Sequence, residues 1–248
     1  MRKKLIAGNW KMNLNAKMAE QFTKLMKETV NTDTADVVFC VPFVHLGMVK
    51  SILAGTNIKV GAQNMHYASN GAYTGEISGQ MLASMEIPYV IIGHSERREY
   101  FKESDTEVNL KALTALKEGL TPIICIGETS KQRKSGRTFS VVRKQLAFAI
   151  DEMTAEDITK IIVAYEPVWA IGTGETATKE QAEEVCALIR DEIKASHGQT
   201  AADNVRILYG GSVSPENANE LFSMPNIDGG LVGGASIKST FEKVVNFE

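Results

Sequence analysis

The sequence predicts an α/β protein, a closed, all-parallel (β/α)8 barrel forming one domain over residues 1–248. Three observations carry this. Eight short apolar runs recur along the chain, the one before Glu166 rich in β-branched residues. Most are followed by a polar loop and a segment with apolar residues at three-and-four spacing, the period of a helix with one buried face. The runs are near-continuously apolar rather than alternating, as befits strands covered on both sides of a parallel sheet. An open doubly wound sheet is the rival, but eight units are many for it. No G-x-G-x-x-G follows the first run.

Each element has its own warrant. The first run, "LIAGNWK" from Leu5, leads to "AKMAEQFTKLMKET" from Ala16. The second, "VVFCVP" from Val37, leads to "FVHLGMVKSILA" from Phe43. The third, "IKVGAQ" from Ile58, opens into a long excursion, Met65–Gln80, which by itself reads as a surface loop. The fourth, "YVIIGH" from Tyr89, is followed by "SERREYF", where Ser95 reads as a helix N-cap, and then by "TEVNLKALTALKEG". The fifth, "PIICIG" from Pro122, precedes "RTFSVVRKQLAFAIDEM". The sixth, "IIVAYE" from Ile161, ends in Glu166, and about ten residues of loop separate it from a helix that Thr178 caps. Loops of that length in compact α/β units tend to be functional or disordered. The seventh and eighth, "VRILYGG" from Val205 and "DGGLVGG" from Asp228, end in glycine pairs, the last leading into a possible short helix.

The bulk numbers exclude some functions. Lys and Arg total 27 against 30 Asp and Glu, a net charge of −3. That balance argues against a nucleic-acid partner or an anionic membrane surface. Three cysteines without metal-ligand spacing fit a reducing, cytoplasmic setting. The basic N-terminus has too short an apolar run for a secretion signal, and no later stretch would span a membrane.

The candidate site comes from polar residues at strand ends. Period-two alternation in the first run puts Leu5, Ala7, Asn9 and Lys11 inside, and Ile6, Gly8 and Trp10 outside, where Trp10 can pack on the helices. Run four ends in His94 and run six in Glu166. Taken singly, each is a solvated strand end or a satisfied polar residue. Barrel active sites, however, are assembled from the C-terminal ends of several strands. A carboxylate near an apolar lid serves as a general base, because desolvation favours proton uptake. Lys11 offers charge to an anionic substrate. A neutral His94 at a helix start donates a hydrogen bond to a developing oxyanion. Glu96 and Arg97 read equally as positioning groups or surface charges. The glycine pairs follow runs seven and eight, where barrels commonly bind phosphate. The amides of Ser212, Gly233 and Gly234, with Gly172 from the long loop, are the candidate cradle.

The motifs "AGNWKMN", "GAQN", "YTGEIS", "IIGHSERR", "CIGE", "AYEPVWAIGTG", "LYGGSV" and "GGLVGGASI" make the chain resemble the triosephosphate isomerases from end to end. The resemblance implies interconversion of dihydroxyacetone phosphate and D-glyceraldehyde 3-phosphate through an enediolate. Glu166 would be the base, His94 and Lys11 the oxyanion stabilisers, Asn9 an orienting group and Glu96 a supporting acid. Gly172, Ser212, Gly233 and Gly234 would hold the phosphate. No metal or organic cofactor is expected. The resemblance also makes Pro167–Trp169 the first hinge of a lid, Ala170–Gly174 its tip and Glu175–Ala177 its second hinge. Glu175 departs from the family, many members of which carry Lys there. Finally, it implies a homodimer through the Met65–Gln80 loop, with Thr74 and Glu76 at the interface.

Overall fold

The structure is a computed structural model and describes residues 2–172 and 176–247. Thr173, Gly174 and Glu175, and with them part of the expected lid tip and second hinge, lie outside the described residues.

Eight strands form the expected closed barrel in sequence order: β1 (Lys4–Asn9), β2 (Ala35–Val41), β3 (Lys59–Ala62), β4 (Tyr89–Ile92), β5 (Thr121–Ile126), β6 (Ile162–Tyr165), β7 (Arg206–Tyr209) and β8 (Gly229–Val232). Every pairing is parallel, and β8 closes onto β1 with Leu5 opposite Gly229 and Gly8 opposite Val232. Each lies within a predicted apolar run or within two residues of it.

The two faces of β1 divide as alternation requires. Leu5 and Ala7 join Val38, Cys40, Ile91, Ile123, Cys125, Ile162, Ala164, Leu208 and Leu231 inside the barrel. Small and branched side chains fill that narrow space in layers. Ile6 and Trp10 belong to the larger core between sheet and helices. Trp10 packs against Phe22 and Phe39 with ring centroids 5.6 and 5.9 Å apart.

The helices begin where capping chemistry places them. Asn15 accepts the amide of Met18 and opens Ala16–Thr29, with the predicted bounds. Thr178 and Gln181 form a capping box on Lys179–His197. Three expectations change. "FVHLGMVKSILA" is a 3-10 turn, Phe43–His45, followed by a helix, Leu46–Ile52. The segment after β8 is a single 3-10 turn, Gly234–Ile237, so no α-helix points at that site. Ser95 is not a cap but the first residue of the helix Ser95–Tyr100, and His94 caps it.

The Met65–Gln80 excursion is closed on itself. The His66 amide donates to the Ile77 carbonyl at 2.8 Å. The His66 ring lies 4.1 Å, centroid to centroid, from Tyr73. No helix among the described residues is long and apolar enough to cross a membrane.

Candidate active site

The C-terminal strand ends bring Asn9, Lys11, His94 and Glu166 together around a cavity of about 440 Å³. Glycines on both flanks give Glu166 its place. A Cβ on Gly127 would lie 1.7 Å from the Glu166 carbonyl oxygen, and one on Gly210 would lie 2.9 Å from Glu166 Cγ. The backbone of β5's loop and the end of β7 can approach the base this closely only without side chains.

Glu166 is 2% exposed. Its Oε1 faces His94 Nε2 at 2.9 Å, and its Oε2 accepts the Ser95 amide at 2.9 Å. Burial by itself raises the pKa of this carboxyl. His94, the Ser95 amide and Lys11 outweigh it and hold the pKa below the ordinary value. The desolvation expected from the sequence is present and pushes towards proton uptake, and these partners oppose it. Cys125 lies beside it, its thiol pushed well above the usual range by burial and by the Glu166 charge. All three cysteines are buried and unbridged.

His94 is pulled in two directions. Burial disfavours its imidazolium, the Glu166 carboxylate favours it, and the balance raises its pKa. The hydrogen bonding points the other way. The Glu96 amide donates to Nδ1 at 3.2 Å, which requires a lone pair there. An acceptor Nδ1 leaves the single ring proton on Nε2, directed at Glu166. Capping by His94 therefore selects the tautomer that donates into the cavity.

Lys11 sits in the left-handed region with φ of 53°, uncommon for a non-glycine residue. Three contacts hold that segment. Asn9 Oδ1 accepts the Lys11 amide at 3.0 Å, Gln63 Nε2 donates to the Lys11 carbonyl at 2.9 Å, and Ser236 Oγ donates to the Asn9 carbonyl at 3.1 Å. The Lys11 ammonium meets Glu96 Oε1 at 2.6 Å, while Glu96 Oε2 is 3.6 Å from His94 Nδ1. Arg97 turns away to Glu103 at 2.7 Å.

Gly172, Ser212, Gly233 and Gly234 line the same cavity as Lys11. The Ser212 and Gly233 amides donate to no acceptor among the described residues. Lys11 Cε lies 3.4 Å from where a Gly233 Cβ would be, so the ammonium is a near neighbour of these donors. Of the predicted site residues, all but Glu96 line one cavity, and Glu96 joins it through Lys11. Among the described residues no three His, Cys, Asp or Glu side chains are grouped to hold a metal. A second cavity, about 490 Å³, lies behind Glu166 beside Trp169. Its guanidinium, Arg98, is already committed to the Gly93 and Cys125 carbonyls and to Asp105.

Four contributors escaped the sequence reading as site residues: the Ser95 amide, Gln63, Ser236 and Glu128. Glu128 is fully buried and accepts from Tyr165 and from Trp169 Nε1 at 2.9 Å, at the base of the long loop. Gln63 carried a signal, since alternation from Gly61 turns it the same way at the end of β3. The others depend on tertiary closure. The loop itself makes a 3-10 turn, Val168–Ala170, so the turn takes in Ala170, which was expected in the lid tip.

A family model described as triosephosphate isomerase matches residues 4–248. The chain is 55% identical over 247 residues to the triosephosphate isomerase of Acetivibrio thermocellus, covering 99% of this chain and 98% of the relative. It is 50% identical over 248 residues to those of Alkaliphilus oremlandii and Clostridium botulinum, with both chains of each pair fully covered.

Proposed function

The chain belongs to the triosephosphate isomerase family, and on that premise we propose which of its residues carry the reaction. The protein is an isomerase that interconverts dihydroxyacetone phosphate and D-glyceraldehyde 3-phosphate, a step of glycolysis and, in reverse, of gluconeogenesis.

Glu166 removes a proton from C1 of dihydroxyacetone phosphate, and the electron pair moves onto the C2 carbonyl oxygen. The resulting enediolate takes the proton back at C2, the proton of the C1 hydroxyl passes to the C2 oxygen, leaving an aldehyde at C1 and a hydroxyl at C2, and every side chain ends as it began. His94 Nε2–H, aimed at Glu166 in this structure, turns to the substrate oxygens once substrate enters. A neutral donor suits both oxygens in turn, because it stabilises oxyanion character without fixing the proton on one of them. Lys11 adds fixed charge, Glu96 holds Lys11, and Asn9 orients the substrate. The amides of Gly172, Ser212, Gly233 and Gly234 bind the phosphate. Closure of the loop after Glu166 excludes water, a general device of which this family is a standard illustration.

The observation that carries this reading is the 2.9 Å contact of His94 Nε2 with Glu166 Oε1 at one wall of a cavity that Ser212 and Gly233 also line. A coupled assay for D-glyceraldehyde 3-phosphate formation by the purified protein tests it. Turnover of dihydroxyacetone phosphate is the expected result, and an inactive, folded protein would refute the assignment.

The reading extends to assembly and setting. Residues 1–248 form one barrel domain, which works in the cytoplasm as an isologous homodimer through the Met65–Gln80 loop. Large apolar side chains support the dimer: Met12, Val44, Tyr73, Met81 and Phe101 are all exposed. Sedimentation of a chain lacking Tyr73–Glu76 tests it, with monomers expected.

A further inference from the structure

Of the charges that face the cavity, one has no task in the chemistry just described. Lys11, His94, Glu166 and Lys238 are the titratable side chains lining it. Lys11 is already matched by Glu96 at 2.6 Å. Glu166 contributes a negative charge, and His94 in its Nε2–H form contributes none. Without Lys238 the lining and the Glu96 that pairs with it would therefore repel an anion. The substrate carries a phosphate monoester of charge about −1.5 to −2 at neutral pH.

Lys238 follows the 3-10 turn Gly234–Ile237, and its amide donates to the Ala235 carbonyl at 3.1 Å. That turn sets it beyond Gly233 and Gly234, at the phosphate end of the cavity, with its side chain exposed. Among the described residues no carboxylate lies within ion-pair distance of it. The nearby charges are Glu216, which is fully exposed and bonded to Ser214, and Lys243.

We propose that Lys238 is the guide cation of this site: it draws the phosphate of the incoming substrate to the Ser212 and Gly233 amides, and acts on capture rather than on proton transfer. The inference rests on the isomerase reading above. By the count above Lys238 turns a net repulsion into balance, and charge lining a cleft alters encounter rates by about 10- to 10³-fold, an effect screened by salt. A single side chain at the rim accounts for part of such a gain.

The test is the kinetics of Lys238→Gln, Lys238→Glu and Lys238→Arg for D-glyceraldehyde 3-phosphate, at low and high ionic strength. Inorganic phosphate serves as a competitive inhibitor in the same series. At low salt the Gln variant is expected to lose roughly 3- to 30-fold in kcat/KM, chiefly through KM, and the Glu variant more. The Arg variant retains the charge and should recover most of the loss. Raising the salt should narrow the gap, and phosphate should inhibit the Gln and Glu variants less well. Equal kcat/KM for wild type and Lys238→Gln at low salt would overturn the inference. So would a loss that sits in kcat and persists at high salt. A wild-type protein without isomerase activity would instead overturn the functional reading itself.

Discussion

Glu166 at the top of the barrel and Asp228 at the bottom are equally buried, each 2% exposed, yet their surroundings differ in kind. Asp228 precedes β8. Its Oδ1 accepts Arg2 Nε at 2.7 Å, and its Oδ2 accepts Arg190 at 2.6 Å and the Ile207 amide at 2.9 Å. Arg190 spends its other donors on Asn226 and on the Ala202 and Val205 carbonyls. Nothing is left for a ligand. Glu166 has one imidazole, one amide and the Cys125 thiol, and its wall opens on a cavity. A buried carboxylate whose partners are complete ties elements together, whereas one with few, exchangeable partners can hand its lone pair to a substrate.

The largest effect should come from the top. Glu166→Gln keeps a carbonyl oxygen for the Ser95 amide but removes the proposed base. Positioned bases contribute about 10²–10⁴-fold, so kcat/KM should fall by that much, while the thermal midpoint moves little. A Gln variant within tenfold of wild type would show that Glu166 is as structural as Asp228.

Asp228→Asn should give the reverse pattern. It leaves Arg190 buried without its counter-charge, and breaking a buried pair from one side costs about 3–5 kcal/mol. For a chain of this size that is roughly 6–20 °C in thermal midpoint. Activity per folded molecule should be unchanged. Melts at fixed protein concentration, which removes any contribution from assembly, with kcat measured well below the transition, check both halves.

Glu103 asks whether the contrast belongs to the ends of the barrel or to the completeness of pairing. It lies on the upper side, behind His94, where its Oε1 accepts the Gly93 amide at 3.0 Å. Its Oε2 meets Arg97 at 2.7 Å and Lys111 at 3.0 Å. Burial pushes its pKa up, but Lys111 and Arg97 overrule burial and hold it below the ordinary value. A depressed carboxylate adds stability that is fully present above the unfolded pKa, about 4.3, and is lost as pH falls through the folded one. Each unit of depression is worth roughly 1.4 kcal/mol. Denaturant midpoints between neutral pH and the acid range should therefore hold steady and then decline below the carboxylate range. Glu103→Gln should start lower, because Lys111 loses its counter-charge, and should show less of that decline. An acid limb unchanged in the variant would assign it to other carboxylates.

How far these regions were legible follows from the same physics. Strand cores were readable because burial on both faces leaves a local signature, and Ala16–Thr29 because Asn15 and the apolar spacing are local too. Asn9, Lys11, His94 and Glu166 stood out as polar residues ending apolar runs. His94 as a cap was hidden, since Ser95 has the stronger capping propensity and only the course of the chain decides between them. Asp228 gave no signal, because its partners Arg2 and Arg190 are distant in sequence and meet it only when the barrel closes. The same holds for Glu128, which was visible within "CIGE" but without its contacts.

Glu128 also provides the smallest and most discriminating test. It is fully buried, like a structural carboxylate, but it holds the segment proposed as the first hinge of a lid. Trp169 Nε1 donates to its Oε1 at 2.9 Å, Tyr165 reaches both oxygens at 3.2 Å, Thr138 donates at 3.3 Å and Arg133 at 3.4 Å. Arg133 also lies 4.2 Å over the Trp169 ring. Trp169→Phe removes one donor and keeps an aromatic face for the guanidinium. Because the other donors remain, Glu128 is not left unsatisfied, and the cost should be that of one ordinary hydrogen bond, about 0.5–1.5 kcal/mol. A bond present in both open and closed lid states cannot shift the balance between them, since only differential interactions do. Trp169→Phe should therefore lower the thermal midpoint by a few degrees and reduce kcat by no more than about threefold. A tenfold or greater loss of kcat with an unchanged midpoint would mean that the indole bond is made only in the closed lid. Glu128 would then belong with Glu166 among the carboxylates that serve turnover rather than with Asp228.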